Sequence, residues 1–209
     1  EINQLISFIR VMKKNPELYI LERLVKKGYL IADLKFEFDS SGQIKENFEI
    51  NGFIEDAYLS FLKDYNISKL NFSFNLKSQN YIFNDINLSL NEIPIASEKL
   101  QVKAKNDHFL IQGVVQSKKT SLKDSTINLF SQLFKIKQNI KTIDFVSKND
   151  FSLKINNKYK ISDFEIISKI KLNKFIIQND LTSNYFLPKI KDEINLSNQE
   201  IEIDYSQSK

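Results

Sequence analysis

The sequence predicts a mainly β fold: a long antiparallel β-meander with an N-terminal helix and one inserted amphipathic helix. Three observations carry this. The first is a phrase the chain states twice. Ile31-Ala-Asp-Leu34-Lys-Phe36-Glu-Phe38-Asp39 returns as Ile67-Ser-Lys-Leu70-Asn-Phe72-Ser-Phe74-Asn75, in register, at an offset of 36 residues. Looser echoes follow in Ile140-Lys-Thr-Ile143-Asp-Phe145 and Ile161-Ser-Asp-Phe164-Glu-Ile166. The second is the strict alternation inside these phrases. Successive side chains on a strand point to opposite faces, so each phrase encodes one apolar and one polar face. The third is the composition of the intervening turns, rich in Asn, Ser, Lys and Asp, as hairpin connections require. A chain that repeats such a unit builds a sheet with one continuous apolar surface.

Taken in order, residues 2–12 place Ile2, Leu5, Ile6, Ile9 and Met12 at helical spacing. A second helix is expected from Pro16 to Lys27, with Asn15 as N-cap, Pro16 at the first helical position and Glu17 favoured by the helix dipole. Leu18, Leu21, Leu24 and Val25 form its stripe, and Gly28 is placed to supply a left-handed cap. These elements make an N-terminal helical segment, 1–27, ahead of a repeating β region, 28–209.

From Gly28 the period switches from 3.6 to 2. The first strand sets Leu30, Ala32, Leu34, Phe36 and Phe38 on one face. Ser40-Ser41-Gly42 turns the chain, and Ile44, Phe48, Ile50 and Gly52 continue on the return strand. The phase slips between Ile54 and Ala57, which predicts a bulge or a bend. Further strands are expected at 70–76, 82–90, 95–104 and 109–115. Residues 124–137 bring Ile127, Phe130, Leu133 and Phe134 onto one helical face, an amphipathic helix inserted in the meander that could cap or plug a groove. Strands then resume near 140–147, 150–156, 158–172 and 174–178. Pro188 sits in a loop, Ile194, Leu196, Ile201, Ile203 and Tyr205 alternate again, and the end of the chain is expected to fray.

At 209 residues the chain is long enough for a sizeable core, and its 42% hydrophobic and 27% charged content is ordinary. The net charge of +4 is spread through interleaved acidic and basic residues, with no basic run longer than a pair, so nucleic acid is not an expected partner. Zero Cys removes disulfides and thiolate metal sites. No stretch approaches the roughly 18 to 20 apolar residues of a membrane-spanning helix. The start at Glu1, without signal-peptide architecture, reads as an excised or processed segment, so an anchor upstream could lie outside it.

No catalytic constellation emerges, and the expectation is a protein that is not an enzyme and holds no cofactor or metal. The one histidine, His108, sits beside Asp107 at a turn, with no second His and no Cys to form a triad or a metal site. The four glycines have no phosphate-cradling spacing. Adjacent acidic pairs such as Glu55-Asp56 and Asp192-Glu193 point to opposite faces of a strand.

The stretch 16–113 resembles the AsmA-like proteins, of the YhdP and TamB type. In that family a helix ending in glycine is followed by a Gly-x-Ile/Leu strand, matched by Gly28-Tyr-Leu-Ile-Ala-Asp-Leu34. A second strand ends in apolar-x-Gly-x-apolar, matched by Phe48-Glu-Ile50-Asn-Gly52-Phe-Ile54. Asp56-Ala57-Tyr-Leu59, then 100–104 and 111–113, continue the pattern. The resemblance implies that the meander is a long curved antiparallel sheet forming an open, repeating β-groove, which shields phospholipid acyl chains between the inner and outer membranes of Gram-negative bacteria. It further implies a periplasmic location, an inner-membrane anchor outside this segment, and neighbouring repeats of the same chain at the open sheet edges.

On that basis Leu34, Phe36, Phe38, Phe48, Ile50, Leu70, Phe72, Phe74, Leu76, Ile86, Leu88, Leu100, Val102, Ile111 and Val115 are expected to line the groove. Three other architectures compete for the same alternation. A periplasmic or extracellular β-sandwich with a structural or adhesive role would cover the Phe-rich face with a second sheet. A closed barrel of lipocalin type would pair the first strand with the last, and an outer-membrane barrel would show aromatic girdles that are not evident.

Overall fold

The computed structural model describes residues 1–12, 16–42, 45, 48–61, 65–122, 126–128, 139–158, 160–178 and 193–208. Two helices, α1 (Ile2–Met12) and α2 (Pro16–Leu24), precede nine strands: β1 (Val25–Lys35), β2 (Glu49–Phe61), β3 (Tyr65–Lys77), β4 (Asn80–Leu90), β5 (Ile93–Ala104), β6 (His108–Ser121), β7 (Asn139–Asn156), β8 (Ile161–Gln178) and β9 (Glu193–Ser208). Each strand pairs antiparallel with the next in sequence, giving one nine-stranded sheet in the order β1 to β9. β1 and β9 are its two edges and do not pair with each other, so the sheet is open and the closed-barrel expectation fails.

The predicted slip between Ile54 and Ala57 is a bulge, with Asp56 at φ +46°. It belongs to a series. On strand after strand the residues facing one side of the sheet step by three instead of two, as at Ile67/Leu70, Phe83/Ile86, Ser97/Leu100, Ser117/Thr120 and Leu172/Phe175. Lys69 and Asp85 adopt positive φ at these steps, and bulges of this kind increase twist and bend the sheet. A side chain two residues on pins several of them. Asn71 Nδ2 donates to Lys69 O at 2.7 Å, Asn87 Nδ2 to Asp85 O at 3.0 Å, and Thr120 Oγ1 to Lys118 O at 2.7 Å. Asn71 also accepts the Asp56 N–H at 3.0 Å, tying the β2 bulge to the β3 bulge. Asn71→Ala is therefore expected to lower stability by about 1 kcal/mol, measured by urea unfolding. An unchanged midpoint would show that the bulges hold without this amide.

Three expectations are corrected. Helix α2 ends at Leu24, not Lys27, because Val25 already pairs with Leu59 and is buried. Gly28 therefore caps no helix. It lies within β1 at φ +140°, where a Cβ would stand 2.9 Å from the Ala57 Cα and 3.0 Å from the Ile2 Cδ1. Its role is to let α1 and β2 approach the strand closely. The four short strands expected between 140 and 178 are two long ones of 18 residues each, β7 and β8. Asn173 is a single extra residue between the pairs Phe145↔Leu172 and Asp144↔Lys174, a bulge rather than a turn. Lastly, the chain end does not fray over 193–208 but forms β9, 16 residues long.

The core is small and lies at one end. Ile2 and Ile6 of α1 are buried against Val25 and Ala57, with Leu30, Ile54, Leu59 and Leu70 packed around them. Side chains of the helical segment and of the sheet thus share one cluster. Residues 126–128 are helical at the same end, where Thr126 Oγ1 donates to Asn91 O at 3.4 Å and Ile127 is buried. Phe130, Leu133 and Phe134 of the expected inserted helix, Ile44 and Pro188 lie outside the described residues. No large side chain among the described residues is fully buried, as expected of a single layer.

Candidate functional site: an uncharged face across nine strands

Pairing register and alternation together assemble the groove face. One transverse row runs Ala32, Gly52, Phe74, Phe83, Leu100, Gly113, Phe151, Ile166 and Tyr205, one residue from each of the nine strands. The next row runs Leu34, Ile50, Leu76, Tyr81, Val102, Ile111, Leu153, Phe164 and Gln207. Neither row contains a charged residue. From β2 to β8 their side chains are half-buried, shaded by neighbours but not covered by a second sheet among the described residues. The Phe72, Phe74 and Phe83 rings meet edge-on or tilted, with centroids 5.7 to 6.1 Å apart. That geometry is favourable for aromatic pairs.

Two glycines shape the floor of the first row. At Gly52 a Cβ would stand 2.4 Å from Ile31 O and 2.7 Å from the Phe74 Cζ, so the Phe74 ring lies over the bare backbone of the next strand. Gly113 does the same for Leu100, whose Cδ2 would be 2.3 Å from its Cβ.

Most of the expected lining residues fall on this face. Leu34, Ile50, Leu76, Val102 and Ile111 share one row, Phe74 and Leu100 the other, and Phe72 pairs with Ile54 beside them. Leu70 reaches the end cluster, and Ile86 is buried, pairing with Ser97. Leu88 pairs with Ile95, Val115 with Asn149, and Phe48 sits half-buried just before β2. Phe36 and Phe38 are exceptions: β1 ends at Lys35, and both are exposed in the connection to β2.

The register adds two features that the sequence reading missed. The face continues across β7, β8 and β9 through Phe151, Leu153, Phe164, Ile166 and Tyr205, whose alternation was already readable. It also contains a polar band. Ser117, Ser147, Asn149 and Ser168 occupy groove-face positions, and the three serines are buried. The Ser117 and Ser147 hydroxyls lie 3.1 Å apart, and Asn149 Nδ2 donates to Ser147 Oγ and to Val115 O, each at 3.2 Å. The signal was present as Phe145-x-Ser147-x-Asn149-x-Phe151, a polar interruption in phase with the apolar residues.

Charge is kept to the other face. Lys154 pairs with Asp163 at 2.7 Å, Lys171 with Glu200 at 3.7 Å and Lys169 with Glu202 at 3.8 Å. Hydrogen bonding and attraction from Asp163 hold the Lys154 ammonium above its ordinary value. Glu49 is held below the usual carboxylate range, chiefly by the side-chain amides of Asn51 and Asn75. His108 Nδ1 lies 2.7 Å from an Asp107 oxygen in the β5–β6 turn, and that hydrogen bond lowers the Asp107 carboxyl. Among the described residues no cluster of His, Cys, Asp or Glu could hold a metal, and no helix is long and apolar enough to cross a membrane.

The chain matches no protein-family model, no curated protein and no solved structure. Its function must be argued from the face itself.

Proposed function

We propose that this chain is a non-catalytic lipid-transfer element whose uncharged sheet face shields phospholipid acyl chains. One observation carries the reading: two uncharged rows cross all nine strands and are left open on one side by the described residues. Nine strands about 4.8 Å apart make a gutter about 40 Å long. Strands of 11 to 18 residues make its walls, roughly 35 to 60 Å from end to end. Each acyl methylene taken from water into such a face is stabilised by about 0.8 kcal/mol, without any directional contact. A conduit of this kind benefits from uniform walls, since tight recognition at one point would hold the cargo there.

The AsmA-like resemblance extends this reading. The segment would work in the periplasm of a Gram-negative cell, carrying phospholipid between inner and outer membranes. Its inner-membrane anchor would lie outside the segment, and neighbouring repeats would continue the groove from the β1 and β9 edges. The competing sandwich would need its second layer from another chain or from residues outside those described.

Native mass spectrometry with lipid extraction tests the proposal. Wild-type protein is expected to carry phospholipid. Phe74→Asp, which sets a carboxylate among Phe72 and Phe83, is expected to lose most of it while retaining its far-UV circular dichroism. Leu153→Asp repeats the test on β7 should the first variant fail to fold. A folded wild type that takes up no lipid would sink the reading and make the face an interface for protein.

A further inference from the structure

We infer that the α1–α2 pair docks its end of the sheet onto an anionic phospholipid surface. Helix α1 buries one side only. Ile2 and Ile6 enter the core, while Leu5, Phe8 and Val11, spaced by three along the remaining side of α1, are 42%, 63% and 77% exposed. Tyr19, Ile20 and Leu21 of α2 are exposed as well. Large apolar side chains gathered on a short helical pair in this way mark a contact surface.

Charge selects the occupant. Residues 1–28 hold six basic residues (Arg10, Lys13, Lys14, Arg23, Lys26, Lys27) against Glu1, Glu17 and Glu22, a net of +3, or +2 once Asp56, paired with Lys27 at 2.7 Å, is counted. Both arginines of the chain are here. Arg10 engages Glu22 at 2.7 Å, and the Arg23 guanidinium lies 4.6 Å from the Tyr19 ring centre. Exposed apolar side chains beside aromatic and cationic ones are what an interfacial helix presents to a bilayer with anionic headgroups. β9 supplies the contrast. Its Ile201, Ile203 and Tyr205 are similarly exposed, but β9 carries Glu193, Glu200, Glu202 and Asp204 with no basic residue of its own, and the neighbouring Lys169 and Lys171 are already paired with Glu202 and Glu200. The membrane-facing end is thus the helical end. This holds whether or not the groove carries lipid.

The chain has no Trp, so Phe8→Trp gives a single fluorescent reporter. Its emission should shift to the blue and be quenched by brominated acyl chains when vesicles of phosphatidylcholine with phosphatidylglycerol are added. Vesicles of phosphatidylcholine alone should have much less effect, and added salt should weaken the shift. In flotation with the mixed vesicles, Phe8→Ser with Val11→Ser is expected to bind at least about tenfold more weakly, and Lys26→Gln about fivefold more weakly. These side chains are exposed, so circular dichroism should match wild type. Phe74→Asp, or Leu153→Asp in its place, should float like wild type even if it has lost co-purified lipid. An unshifted reporter, or full flotation by the double Ser variant, would overturn the docking site. Flotation lost only in the groove variants would also overturn it and leave the groove reading standing.

Discussion

Gly52→Val is expected to cost roughly 3 kcal/mol or more in urea unfolding, and Gly52→Ala about 1 to 3 kcal/mol. The site has no room for either. A Cβ there would stand 2.4 Å from Ile31 O and 3.0 Å from Ala32 Cα, both backbone atoms of the adjacent edge strand. Relief requires β1 to move away, and β1 has no other strand to hold it. The Phe74 ring would be lifted too, since its Cζ would be 2.7 Å from the added carbon. Gly113→Ala repeats the test in mid-sheet, where Lys99 O at 2.8 Å must yield but β5 is braced on both sides. It should be costly for stability without detaching an edge. Gln112→Ala, exposed beside Gly113, should stay within about 0.5 kcal/mol of wild type. If Gly52→Val unfolds like wild type, the apposition of β1, Gly52 and Phe74 does not hold.

The fold was legible because one physical rule dominates the chain. Where a strand buries one face, period-2 alternation specifies its register, and the repeated Leu-x-Phe-x-Phe phrase made that period plain. The slip at Ile54/Ala57 was readable for the same reason, since the apolar residues change parity there. The regularity of such slips across the sheet was harder to see, because each one alone looks like an irregular loop. Asn173 shows the difficulty: a polar residue between Leu172 and Lys174 suggests a turn until its partner strand is known.

Gly28 misled for a related reason. A glycine after two lysines fits a helix cap locally, but the buried pairing of Val25 with Leu59 overrides the local preference. The groove face was only partly legible. Lining residues on β1 to β6 follow from alternation, whereas the Ser117, Ser147 and Asn149 band looks like solvent-facing polarity until register puts it in phase with Phe145 and Phe151. Small polar residues are tolerated there because Ser117, Ser147 and Asn149 hydrogen-bond to one another and Asn149 also to Val115 O.

Ile6→Asp should separate the helical end from the rest of the sheet. Ile6 is 5% exposed and sits in a cluster whose members, Ile2, Val25 and Ala57, are all apolar. Losing the apolar group and burying an unpaired charge together are expected to cost about 3 to 5 kcal/mol. Undocking of α1 should cost less than melting the sheet. Amide exchange in 25–30 and 54–59 should therefore quicken by about 100-fold or more, while β7 and β8 keep their protection. Those strands hold together through a ladder of 18-residue partners and pairs such as Phe145↔Leu172, Phe151↔Ile166 and Leu153↔Phe164. Cross-strand pairs contribute roughly 0.2 to 1 kcal/mol each, so a long ladder can persist without the end cluster. If β7 and β8 lose protection together with β1, the cluster would be the nucleus of one cooperative unit. Selective loss at the helical end would instead make α1 a detachable cap on a sheet that stands by its own pairing.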